Sequence, residues 1–241
     1  MQAWHRSRNQ KKKYGTVMNT LDVVSEAIKN NPDIEFLTFS KYKQQPLIQE
    51  KIELSTIDNE FISAALDVRN RLRLPFWDSL MLSFFDKENV SKNLLSIALT
   101  HNKNIDNITT RNIEDIRNYI ITNPQESLSL NSKIIFKRDT VKHFFLLDFH
   151  IYPSGNNLKI TTDILQILGL HGHILDSGES YHFVSNSFFE LDALINLLAK
   201  SLLFSPIIDR AWIAHQILER SCSLRVGIKH GIMPTVITKI T

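Results

Sequence analysis

An aromatic-rich apolar run, Phe144-Phe145-Leu146-Leu147, passes into the alternation Asp148-Phe149-His150-Ile151. Such a run predicts a buried strand. Strand side chains alternate faces, so Asp148 and His150 share one face while Phe149 and Ile151 occupy the other. Two polar groups on a buried strand are costly unless something binds them. A divalent cation is the simplest partner for a carboxylate beside an imidazole. The alternative is a strand end emerging into solvent.

The rest of the pattern falls into two halves. Upstream, apolar positions recur at helical spacing. Leu21, Val24, Ala27 and Ile28 predict a short helix, followed by a loop at Asn31-Pro32-Asp33 and an extended piece over 34–39. A helix from Asp58 carries Phe61, Ala64, Ala65, Val68 and Leu72. Leu74-Pro75-Phe76-Trp77-Asp78 breaks it and opens another with the stripe Leu80, Met81, Phe84, Phe85, and a third lies around Leu94, Leu95 and Ala98. Residues 101–131 read as an Asn- and Ser-rich linker around a short helix near 113–121.

Downstream, short strands alternate with turns and helices. Strands are expected at 133–137 and through Asp148 as a hairpin, at 158–161, and at 173–176 and 181–184 around the turn Ser177-Gly178-Glu179-Ser180. A helix is expected over 163–170. Ser187 with Glu190 reads as a capping box for a helix through Leu191–Leu202, and Ser205-Pro206 as the start of the next. Strands over 221–226 and 234–240 close the chain. The expected fold is α+β, a helical N-terminal half packed on a C-terminal mixed β-sheet with flanking helices. Its expected division is a leader over 1–19, a mainly helical region over 20–131 and an α/β core over 132–241.

Composition narrows the classes. The 241 residues hold one cysteine, Cys222, which excludes an internal disulfide framework and fits a reducing cytoplasm. No apolar run approaches the roughly 18 residues of a membrane span, and no apolar signal segment follows the polar start. Arg6, Arg8, Lys11, Lys12 and Lys13 all precede the first acid, Asp22, so the net charge of +3 conceals a body near −2. The basic stretch reads as a disordered leader, with phosphate binding as the alternative. A body of that charge is not a nucleic-acid-coating surface.

Three pieces of the second half carry candidate chemistry: Asp148 with His150; the turn from Ser177 leading to His182; and Asp209 with Arg225 and Lys229 beyond it. Each has a plain structural explanation as well. His182 suits a hydrogen-bonded core position, Asp209 suits a helix N-terminus, and Arg225 and Lys229 suit solvated loops. A same-face pair, His171 and His173, offers a rival zinc site if His150 came near.

In order and spacing these pieces resemble the archaeo-eukaryotic primase superfamily, in particular its small bacterial primase 1D-like branch, and Leu74-Pro75-Phe76-Trp77 resembles the helical N-terminal region of that branch. The resemblance implies a primase-polymerase-like core in which Asp148, position 150 and Asp209 hold Mg2+ or Mn2+ as catalytic groups. It implies that Ser177 and His182 contact a nucleoside triphosphate, with Arg225 and Lys229 neutralising its phosphates. The family's pattern has a second carboxylate where this chain has His150. A neutral imidazole adds no charge and serves Mg2+ poorly.

Two functions follow from the resemblance. One is a primase-like nucleotidyltransferase acting on nucleoside triphosphates and single-stranded DNA or a primer-template, reduced in activity or dependent on a partner. The other is a catalytically degenerate subunit that holds nucleotide or nucleic acid within a mobile-element or phage-defence assembly. Either implies a protein partner, a helicase or nuclease encoded separately, and no membrane.

Overall fold

The computed structural model describes residues 17–42, 56–84, 91–97, 105–124 and 126–241. The basic stretch over 6–13, Phe85 and Ala98 lie outside the described residues. Among the described residues are eight α-helices and eight strands. The helices are α1 (Thr20–Asn30), α2 (Thr56–Leu72), α3 (Phe76–Ser83), α4 (Lys92–Ile97), α5 (Ile113–Thr122), α6 (Gly155–Ile167), α7 (Leu191–Ser201) and α8 (Arg210–Glu219). The strands are β1 (Ile34–Tyr42), β2 (Ile105–Thr110), β3 (Ser127–Phe136), β4 (Thr140–Asp148), β5 (Gly172–Asp176), β6 (Tyr181–Phe189), β7 (Ser223–Arg225) and β8 (Thr235–Ile240).

One eight-stranded sheet organises the chain in the order β2-β1-β3-β4-β6-β5-β8, with β7 pairing β3. Every pairing is antiparallel. The expected α+β class holds, and the sheet reaches further into the N-terminal half than the pattern suggested. The short helix expected near 113–121 is α5, and the stretch around it that was expected as a linker carries β2 and the start of β3.

β4 is central, as its apolar run requires. Five consecutive residues, His143 to Leu147, are buried, so both faces of the strand are covered. β3 shares one flank between two partners: Ser129–Asn131 pair with β7 and Lys133–Phe136 with β4. Ser132 sits at the handover. Its Oγ accepts from Cys222 N at 2.9 Å and lies 3.0 Å from His143 Nδ1. α2, α3 and α4 build a second, smaller core around Phe61, Ile62, Ala65, Leu80 and Leu94, against which Phe76 and Trp77 pack.

Three local expectations differ. The strand expected over 158–161 lies inside α6, because Ser154 caps a helix there by accepting from Asn157 N at 3.2 Å. Ser187 belongs to β6, and α7 opens at Leu191 without a side-chain cap. The rings of Phe188 and Phe189 hold that segment in the sheet through Phe144 and Phe145, at centroid distances of 5.3 and 6.3 Å. Ser205-Pro206 opens no helix; the peptide is cis, and α8 begins at Arg210 with Asp209 as its cap.

Candidate functional site

The C-terminal end of β4 and the segment before α8 come together through backbone pairing. Phe149 and Ile208 form an isolated antiparallel bridge, and His150 N donates to Ile207 O at 2.7 Å. The two bridge residues are buried at 1% and 0% exposure. In antiparallel register the next pair outward is Asp148 with Asp209, and alternation turns both away from the core. On the other side of β4, Asp148 is the register partner of His182 in β6. His182, Asp148 and Asp209 therefore form one row across the sheet.

Each member of the row has a distinct state. Asp209 Oδ1 accepts from Ala211 N at 2.9 Å and Trp212 N at 3.0 Å, capping α8. Asp148 Oδ1 accepts from Ser180 Oγ at 3.3 Å and lies 3.7 Å from His182 Nε2. The Asp148 side chain keeps 34% of its surface open. Even so, burial at the cleft floor, followed by the facing Asp209, pushes its carboxyl up to about 7. His182 is almost fully enclosed. Burial, then Arg225 and Lys229, push it down to about 3, so the imidazole is neutral at ordinary pH. The 3.7 Å approach is therefore not an ion pair.

Asp148, His150 and Asp209 line one cleft of about 780 Å3. Its other wall comes from α2, α3 and the turn between them and carries Arg69, Arg73 and Trp77; Arg73 lies over the ring of Tyr152 in the segment after β4. Arg210, next to Asp209, forms an ion pair with Asp78 of α3, tying the two walls together.

The other three expected residues sit behind the cleft floor. Ser177 Oγ donates to Ser180 O at 3.0 Å and so shapes the β5–β6 turn. Gly178 in that turn has φ +96°, with the Ile232 side chain packed over it. Arg225 Nη2 donates to Ser177 O at 2.7 Å, while Nη1 donates to Gly227 O at 2.8 Å and Ile232 O at 3.1 Å. Lys229 pairs with Glu179 at 2.9 Å. These contacts hold the turn that presents Ser180 to Asp148.

Ser180, Arg69, Arg73 and Tyr152 were not singled out by the sequence reading. For Ser180 a signal existed: the polar–aromatic–polar alternation Ser180-Tyr181-His182 places it on the face of His182. For the arginines it was the basic spacing Arg69-x-Arg71-x-Arg73 before Pro75.

The family model described as archaeo-eukaryotic primase 1D-like matches residues 107–237. The chain belongs to this family. The match spans every strand from the middle of β2 into β8 and includes Asp148, His182 and Asp209. α2 and α3, which supply the second wall, lie outside the matched residues. Comparison with curated proteins and with solved structures yields no match.

A primase-like fold brings the question of a divalent cation, and the donor set answers it in part. Asp209 faces Asp148, and its charge, after burial, helps hold the Asp148 carboxyl near 7 against the opposing pull of the Ser180 hydroxyl, Arg225 and Lys229. That is the charge arrangement a divalent ion relieves, and Mg2+ in nucleotide sites is commonly held by one or two carboxylates plus substrate phosphates. Among the described residues no group of three or more His, Cys, Asp or Glu side chains is arranged to hold a metal ion. His150 therefore does not complete a ready-made triad with Asp148 and Asp209. The rival zinc pair is likewise split, since His171 is exposed and His173 buried. Among the described residues no helix is long and apolar enough to cross a membrane.

Proposed function

We propose that the cleft is a primase-like nucleotidyltransferase site that takes a nucleoside triphosphate with Mg2+ or Mn2+ and extends a primer or initiating nucleotide on single-stranded DNA. The observation that carries this reading is the Asp148–Asp209 pair, set in register by the Phe149–Ile208 bridge and close enough for Asp209 to raise the Asp148 carboxyl. A bound divalent cation supplies charge neutralisation and alignment for phosphoryl transfer. The chain's own residues do the rest. Asp148 and Asp209 offer the carboxylate oxygens, Asp209 through the oxygen that does not cap α8. Neutral His182 and the Ser180 hydroxyl offer hydrogen bonds to phosphate oxygens without adding charge. Arg225 and Lys229 bias the potential of the site from behind the turn. A partner that opens or cuts the strand, such as a helicase or nuclease, belongs to the same proposal.

A second reading, a subunit that binds nucleotide or nucleic acid without incorporation, is favoured by one observation: the cleft of Asp148 and Asp209 carries an imidazole, His150, where the family's pattern has a second carboxylate. Labelled nucleotide incorporation on primed and unprimed single strands, with Mg2+ and with Mn2+, separates the two. The first reading expects incorporation that is stronger with Mn2+ and absent in Asp148→Asn. Binding without incorporation under either metal selects the second.

A further inference from the structure

The wall of the cleft opposite the carboxylates carries basic and aromatic groups for which the active-site reading has no use. Arg69 and Arg73 project from the end of α2, and the Arg73 guanidinium lies 5.1 Å from the centre of the Tyr152 ring. Arginines in the last turn of a helix have an ordinary explanation, since they complement the negative end of its dipole. That explanation covers Arg69 and Arg71. It accounts for the charge of Arg73 as well but not for its backbone, which lies just beyond the helix at φ +59°, with its N–H donating to Arg69 O at 2.8 Å. This is the left-handed position after a helix that glycine fills most readily. An arginine held there is strained backbone at a cleft wall.

Its guanidinium lies over the ring of Tyr152, a residue that is nonetheless 48% exposed to the cleft. Trp77, half-buried and packed on the α2–α4 core, is a second aromatic lining the same cleft. A groove that combines cations with exposed aromatic rings is how proteins hold unpaired bases and their phosphates. A duplex, whose bases are stacked internally, offers such faces nothing. We propose that Arg69, Arg73, Trp77 and Tyr152 form a binding site for single-stranded nucleic acid, Tyr152 stacking on a base and the arginines holding flanking phosphates. The inference deepens the nucleotidyltransferase reading and rests on it for the strand's role as template; the binding itself does not need metal or triphosphate. The site lies outside the family-matched residues, except for Tyr152.

The test is fluorescence anisotropy of a labelled deoxythymidine oligomer of about 12 nucleotides, within the roughly 4–16 that one such groove covers, in EDTA without nucleotide. The wild-type chain is expected to bind. Tyr152→Ala should weaken binding about tenfold, within the range measured for losing one stacked base. Arg69→Ala with Arg73→Gly should weaken it at least as much and lower the slope of log affinity against log salt by about 0.7 for each phosphate contact removed. Arg73→Gly alone gives the sharper signature. It relieves the left-handed backbone, so thermal stability should rise while oligomer affinity falls. Binding of a fluorescent nucleoside triphosphate with Mn2+ should be unchanged in all of these. No oligomer binding by the wild type, unchanged oligomer binding in the variants, or loss of the triphosphate instead would each overturn the site. Asp148→Asn provides the separation: it should keep the oligomer and lose the triphosphate with Mn2+. If it keeps both, the nucleotidyltransferase reading fails and the strand site stands.

Discussion

Asp148 and Asp209 stand opposite each other because Phe149 and Ile208 are paired and buried one position inward. The core pair anchors two apolar side chains, and the backbone then forces two carboxylates to the same side of the cleft. Neither acid can withdraw. Asp209 is held by the α8 amides and Asp148 by the Ser180 hydroxyl. The charge conflict is thus built into the fold, and it has measurable consequences.

The first concerns pH. The carboxyl of Asp148 is raised from 3.8 to about 7 in the folded protein. Between those values the folded protein keeps a proton that the unfolded chain releases, so this group weakens the fold progressively as pH rises from about 4 to about 7. Asp148→Asn removes the effect. Its melting temperature without metal should exceed that of the wild type by a margin that grows across that window and levels off above pH 7. Differential scanning fluorimetry from pH 4.5 to 8.5 measures this; a margin independent of pH would show that Asp148 is not perturbed. In the wild type, Mn2+ affinity should rise with pH up to about 7 and flatten beyond it, since binding there displaces the Asp148 proton.

A second prediction concerns the seam where β3 passes from β7 to β4. Ser132 Oγ serves both Cys222 N and His143 Nδ1, and all three residues are buried. Ser132→Ala strands both nitrogens in a dry environment. The expected loss is about 1–3 kcal/mol, the range for unsatisfied buried polar groups, or a melting temperature lower by roughly 2–4 °C per kcal/mol for a chain of this size. Urea unfolding measures it, and an unchanged midpoint would mean that the seam relaxes or admits water.

Much of this architecture was legible in the residues. The run from Phe144 to Leu147 announced the central strand, and the order and spacing of the pieces carrying Asp148, His182 and Asp209 led to the family. What escaped depended on contacts distant in sequence. Ser187 and Glu190 have the form of a capping box, yet Phe188 and Phe189 find aromatic partners on β3 and β4 and hold Ser187 in a strand. Ser205-Pro206 reads as a helix start, but backbone pairing of 207–208 with 149–150 delays the helix to Arg210. Ser177 drew attention as the start of the turn leading to His182, while Ser180 is the one that touches Asp148. No local pattern tells a turn-shaping serine from the serine that the turn presents.

The third prediction separates positioning from phosphate contact. Arg225 holds three backbone carbonyls, on the β5–β6 turn and on the 227–232 loop. A planar guanidinium reaches all three; an ammonium on a flexible stem reaches fewer. Arg225→Lys keeps the charge and loses the fork. If Arg225 acts by positioning, this variant should melt at a lower temperature and bind triphosphate with Mn2+ several-fold more weakly, each bond to a charged donor being worth about 1.5–3 kcal/mol. If the residue acted only through its charge on the phosphates, lysine would restore binding and leave stability intact.

The fourth prediction turns on His150, which lines the same cleft as the two acids and is joined to Ile207 through its backbone. Replacing it by aspartate keeps that backbone bond and adds a carboxylate on the strand face of Asp148. The added charge makes the empty cleft more repulsive, so His150→Asp without metal should melt below the wild type at pH 8. With cation the sign reverses. Each tenfold gain in affinity corresponds to about 1.4 kcal/mol, which one extra carboxylate near a divalent ion readily supplies. Mg2+ should therefore bind His150→Asp at least about tenfold more tightly. The Mg2+-dependent rate of nucleotide incorporation should rise relative to the Mn2+-dependent rate. Titration calorimetry with each metal, paired with incorporation assays, measures both. Tighter Mg2+ binding without any incorporation would assign the chain to nucleotide holding rather than transfer. Unchanged Mg2+ affinity would mean that position 150 does not reach the ion held between Asp148 and Asp209.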